Sequence, residues 1–62
     1  MTLTKYVVTV DFESNDGEQF SKTIVRHFPT TKDLERYAAG FADGLALSCD
    51  GAVLSCTTLP VN

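Results

Sequence analysis

The chain begins with alternation. In LTKYVVTVDFE, Tyr6, Val8, Val10 and Phe12 fall on one side of an extended backbone, and Lys5, Val7, Thr9, Asp11 and Glu13 fall on the other. A period of two, carried by β-branched and aromatic residues, predicts a half-buried strand. SNDGE follows, and Asn15-Asp16-Gly17 suits a three-residue hairpin loop closed by a glycine in the left-handed region. A second strand then runs from about Glu18 to Phe28. Loop length fixes register. Three loop residues place Phe12 opposite Phe20 and Val8 opposite Ile24, all on the core face. A two-residue Asp16-Gly17 loop would split the aromatics between the two faces. The first register also gives Lys22 and Arg26 core parity. An edge position lets their stems lie on apolar surface while the charged heads reach water.

The period then changes. In FPTTKDLERYAAGFADGLALS, Pro29 disfavours further strand, and Thr30 with Asp33 three residues on forms a cap. Asp33 and Glu35 suit the positive end of a helix dipole. Leu34, Tyr37/Ala38, Phe41 and Leu45 recur at three- and four-residue spacing as one apolar stripe. Gly40 costs about 1 kcal/mol relative to alanine in mid-helix, which points to a close neighbour there. After Asp50-Gly51, AVLSCTTL reads as a third strand that Pro60 stops. Ala52, Leu54, Cys56 and Thr58 form one side of it, and Val53, Ser55, Thr57 and Leu59 the other. The expected core adds Leu3, Phe20 and Leu54 to the strand and helix stripes.

These elements make a two-layer α+β domain of ββαβ order: a three-stranded antiparallel sheet, order 2-1-3, with one helix packed on one face. A rival reading ends the helix at Gly44. Leu45 to Cys49 then becomes a strand paired through the Asp50-Gly51 hairpin signal with Ala52 to Cys56, giving ββαββ.

Size and charge narrow the function. Sixty-two residues make one domain with a small core. Five Lys and Arg against eight Asp and Glu, net charge -3, argue against binding nucleic-acid phosphates or an anionic membrane surface. No apolar run approaches the roughly 20 residues of a membrane span. The start of the chain lacks a signal-peptide pattern. The expectation is a complete, cytoplasmic protein whose thiols stay reduced.

Candidate chemistry is sparse. Cys49 and Cys56, in GLALSCDGAVLSC, are too far apart for a paired zinc motif, and one histidine, His27, does not complete a ligand set. Direct pairing across Asp50-Gly51 would set Cys49 against Ala52, so a disulfide is disfavoured. Two small, mostly buried thiols are expected, with no metal, no cofactor and no catalytic residue. His27 reads as a surface residue near a sheet edge, with nothing beside it to make a general base. Asp11, Glu13, Asp16 and Glu18 gather at the hairpin without the spacing of a calcium loop. They read as a solvated strand end, or as an acidic patch that meets a basic partner.

The most informative feature is the sheet face that the helix leaves open. Val7, Thr9, Thr23, Val25, Val53 and Thr57 lie there with Ser21 and Ser55, bordered by Asp11 and His27. A solvated face would carry more Lys and Glu, although Val and Thr suit strands anywhere. The expectation is a protein interface. The chain then reads as a small acidic, non-enzymatic protein-binding module, homodimeric through this face or an edge strand. Its role would be that of a regulator or inhibitor, of the kind phages and mobile elements use against host defence. The alternative is a structural subunit of a larger assembly.

Overall fold

A computed structural model describes residues 3–61. It contains β1 (Thr4–Glu13), β2 (Gln19–Phe28), α1 (Thr31–Ser48) and β3 (Ala52–Val61). The three strands form one antiparallel sheet in the order β2-β1-β3, with the helix packed on it. The fold is the expected ββαβ.

The hairpin has three loop residues. Ser14 N–H donates to Glu18 C=O at 2.8 Å, Gly17 N–H donates to Ser14 C=O at 3.0 Å, and Gly17 has φ +91°. The register follows: Phe12 faces Phe20 and Val8 faces Ile24. The Phe12 and Phe20 rings stack with centroids 5.7 Å apart. Lys22 and Arg26 keep core parity because β2 is an edge strand. The Arg26 guanidinium sits 5.4 Å from the centre of the Tyr37 ring, a cation–π distance.

Thr30 caps the helix, its hydroxyl accepting from Asp33 N–H at 3.2 Å. The helix runs through Gly44 to Ser48, so the ββαββ alternative is wrong. The Asp50-Gly51 dipeptide ends a helix instead of turning a hairpin. Asp50 takes a left-handed conformation at φ 54°, Gly51 N–H donates to Ala46 C=O at 2.9 Å, and Asp50 N–H donates to Leu47 C=O at 3.3 Å. This is the two-bond Schellman closure of a helix C-terminus.

The core differs from expectation in which side chains fill it. The helix buries Leu34, Ala38, Ala42 and Ala46, while Tyr37, Phe41 and Leu45 are half-buried beside them. Alanine allows close approach, and the helix lies nearer β3 than β2. Across from it, Val8 and Val10 of the central strand are fully inaccessible, with Phe12 and Phe28 also buried. Leu3, Phe20 and Leu54 are exposed instead of buried. Both outer strands have an open side, and one helix cannot cover three strands. The slim shape agrees: the radius of gyration is 12.4 Å, against roughly 10.5 Å for a compact chain of this length.

Two local expectations are also corrected. A β-bulge between Asp11 and Phe12 makes Val53 and Leu54 together oppose Phe12. Val53 therefore pairs with a core residue and leaves the face of Thr9 and Thr57. Gly40 has no close neighbour: a Cβ there would meet nothing within 4 Å.

Candidate functional site: the open sheet face

Register builds the face opposite the helix row by row, because residues directly opposite in an antiparallel pair share a face. At one end lie Val25, Val7 and Leu59, in the middle Thr23, Thr9 and Thr57, and beyond them Ser21, Asp11 and Ser55. The face thus grades from aliphatic, through hydroxyl, to one carboxylate held between two serines. Lys5 and His27 border the aliphatic end, and Glu13 and Gln19 the polar end.

The polar rows are bonded across strands. The Thr9 and Thr23 hydroxyls lie 3.3 Å apart. Ser55 donates to Asp11 Oδ2 at 2.8 Å, and Ser21 donates to Asp11 Oδ1. The Ser21 bond and then the Ser55 bond hold the Asp11 carboxyl below its ordinary value of 3.8, since both stabilise the anion. Asp11 of β1 thereby ties Ser21 of β2 to Ser55 of β3. A shallow hollow opens at this end beside the bulge, lined by Asp11, Gln19, Phe20, Ser21, Leu54 and Ser55.

Of the expected interface residues, Val7, Thr9, Thr23, Val25 and Thr57 share this face, and the bulge removes Val53. Leu59 takes a place on it. Sequence reasoning already places Ser21 and Ser55 on this face, with Asp11 at its border. The hairpin register is enough to place Ser21 next to Asp11. Nothing comparable fixes Ser55, because the β1–β3 register is set by no tight turn.

The acidic hairpin is not one patch. Asp11 belongs to the open face. Asp16 turns into the loop, where the Ser14 hydroxyl and then the Glu18 backbone N–H lower its pKa. Glu13 pairs across the sheet with Gln19 and Ala52, and Glu18 closes the loop through its carbonyl. Among the described residues, no group of three or more His, Cys, Asp or Glu could hold a metal ion.

The cysteines are both free and lie apart. Cys49 is half-buried at the helix end, its thiol 3.5 Å from Ala46 C=O and 3.9 Å from Glu13 C=O. Cys56 is exposed in mid-β3 opposite Val10, which corrects the expectation of two mostly buried thiols. Cys56 lies on β3, an edge strand, and its side chain is left uncovered there. His27 is exposed opposite Lys5 at the start of β1, the far end of the sheet from Cys49. Among the described residues, no helix is long and apolar enough to cross a membrane.

No family model, curated protein or solved structure matches the chain.

Proposed function

We propose that this chain is a small, acidic, non-enzymatic protein-binding module, dimeric and cytoplasmic, acting as a regulator or inhibitor. One observation carries the reading: the face away from the helix presents aliphatic and hydroxyl side chains over its centre, and its one central carboxylate is already bonded to two serines. The aliphatic and threonine rows lose little on desolvation, whereas the charged Asp11 carboxylate at the polar end costs free energy to bury. The polar end is preorganised by the serine bonds to Asp11, so a partner can cover it without ordering those side chains. Val25 and Leu59 stay 50% and 59% exposed, apolar area that a small domain gains by covering. Two free thiols suit a reducing compartment.

The test compares the wild-type chain with a Val7→Lys/Val25→Lys variant and with a Glu13→Gln/Glu18→Gln variant, each used as bait and each checked for folding by circular dichroism. The reading expects a partner protein that the valine variant loses and the hairpin variant keeps. A partner retained by a folded valine variant would move the binding surface elsewhere.

A further inference from the structure

We infer that the hollow at the polar end of the open face receives an arginine side chain of the partner protein, its guanidinium lying on the Asp11 carboxylate. The inference rests on the open face being the protein-binding surface and names the chemistry that this surface selects.

The hydrogen-bonding groups at the hollow decide what can enter it. Asp11, Gln19, Phe20, Ser21, Leu54 and Ser55 line it. Ser21 donates to Asp11 Oδ1 and Ser55 donates to Asp11 Oδ2. A hydroxyl has one proton to give and two lone pairs, and an ionised carboxylate has about four acceptor sites and no proton. Both serine protons are therefore spent on Asp11. Each serine Oγ and each carboxylate oxygen keeps acceptor capacity. Of the lining side chains, only the Gln19 amide still has protons to donate. Ser21, Asp11 and Ser55 sit side by side on three neighbouring strands, so the hollow offers a row of acceptors across the sheet. Its complement is a group made of donors. An anion or a carbonyl would set lone pairs against lone pairs.

The charges agree. The two serine bonds keep Asp11 ionised well into acid, and Glu13 adds a second carboxylate in the next row of the same face. The cations of the chain are placed elsewhere. Lys5 and His27 border the opposite, aliphatic end, Lys22 has core parity, and Arg26 sits over the Tyr37 ring. Lys32 and Arg36 belong to the helix on the other side of the sheet. A partner that covers the aliphatic and threonine rows also takes water from Asp11, and a desolvated charge without a counter-ion is costly. A cation carried by the partner offsets that cost.

Guanidinium fits this row better than ammonium. It is planar and weakly hydrated, and its fixed fork of five N–H groups can take both carboxylate oxygens and still reach a serine oxygen. An ammonium is a compact, strongly hydrated point charge with three donors. The rest of the lining is apolar. Phe20 and Leu54 are exposed there, surface that the methylene stem of an arginine covers.

The test titrates the full, isotope-labelled chain with a capped peptide of one arginine between glycines, and with its citrulline and lysine counterparts, read by amide NMR shifts. Citrulline keeps the shape of arginine and lacks its charge. The arginine peptide should shift the amides of Gln19, Ser21, Leu54 and Ser55 saturably. It should bind about fivefold or more tightly than the citrulline peptide, with the advantage fading as salt is raised. Asp11→Asn should bring arginine binding down to the citrulline level. Equal binding of the arginine and citrulline peptides, or shifts centred outside the hollow, overturns the proposal even if Asp11→Asn does not fold. A lysine peptide that binds as tightly overturns the guanidinium assignment. The peptides need no partner protein, so this result is separate from the bait experiment. A partner lost by the valine variant, with no arginine binding, removes the hollow and keeps the open face. A partner retained by the folded valine variant overturns the open-face reading, and with it the source of the arginine, whatever the peptides do.

Discussion

Gly51 lies so close to Glu13 that a Cβ on the glycine would fall 1.8 Å from the Glu13 carbonyl oxygen and 2.9 Å from Ser14 Cα. The chain leaving the helix crosses the end of β1 here, and the obstructing atoms are backbone. Relief would require moving the start of β3 or the end of the hairpin. Gly51→Ala is therefore expected to destabilise the fold by roughly 2 kcal/mol or more, at the upper end of overpacking costs. Chemical denaturation checks this. An alanine variant as stable as wild type would mean that the crossing is loose enough to accept a Cβ.

One residue earlier the expected sign reverses. Asp50 holds a left-handed φ of 54°, a conformation that glycine adopts without steric cost. It also places a carboxylate at the negative end of the helix dipole, with no basic residue in the last turn to offset it. Asp50→Gly keeps both closing hydrogen bonds and removes both penalties. A gain of about 1 kcal/mol is expected, which raises Tm by roughly 4–8 °C in a domain of this size. Calorimetry reads it directly, and a lower Tm would contradict the capping account.

Gly40 offers a second gain. It lies inside the helix, and a Cβ added there would meet nothing within 4 Å, so alanine adds helix propensity without a clash. Gly40→Ala should stabilise by about 1 kcal/mol. If the variant is more stable but loses a partner that wild type binds, the back of the helix belongs to an interface, and the open sheet face is then not the whole binding surface.

These glycines show what pattern can and cannot convey. Alternation in β1 and the Asn15-Asp16-Gly17 loop are enough for the β1–β2 register, because a three-residue turn leaves one way to pair those two strands. With that register comes most of the open face. Asp50-Gly51 is ambiguous, since the dipeptide that turns a hairpin also supplies a left-handed residue at a helix end. Leu45 and Ala46 continuing the helical stripe settle it as a helix end. The bulge at Val53 and Leu54 leaves no mark in the sequence, and it moves one interface residue to the other face. The alanine row escapes notice for a related reason. Stripe arguments weigh large side chains, while the distance between helix and sheet is set by the small ones between them.

Asp11 connects the open face to pH. Its carboxylate accepts from Ser21 and Ser55, and these bonds hold its pKa below the ordinary 3.8 in the folded chain. A depressed folded-state pKa means that the unfolded chain takes up the proton first as pH falls. The stabilisation is complete above the unfolded value of 3.8 and is lost as pH falls through the lower folded value. Asp16, bonded to Ser14 and to the Glu18 backbone, adds a second contribution of the same sign. Wild type should therefore lose Tm in strong acid. In Asp11→Asn the loss should be shallower, because an amide cannot titrate. The difference between the two proteins should be largest near neutral pH and shrink below 3.8. Melting curves from neutral pH into strong acid test this, with Asp11→Asn/Asp16→Asn expected to flatten the profile further. Parallel profiles for wild type and Asp11→Asn would show that the two serines do not hold the carboxylate in solution, and the binding face would then carry an unsatisfied charge at its polar end.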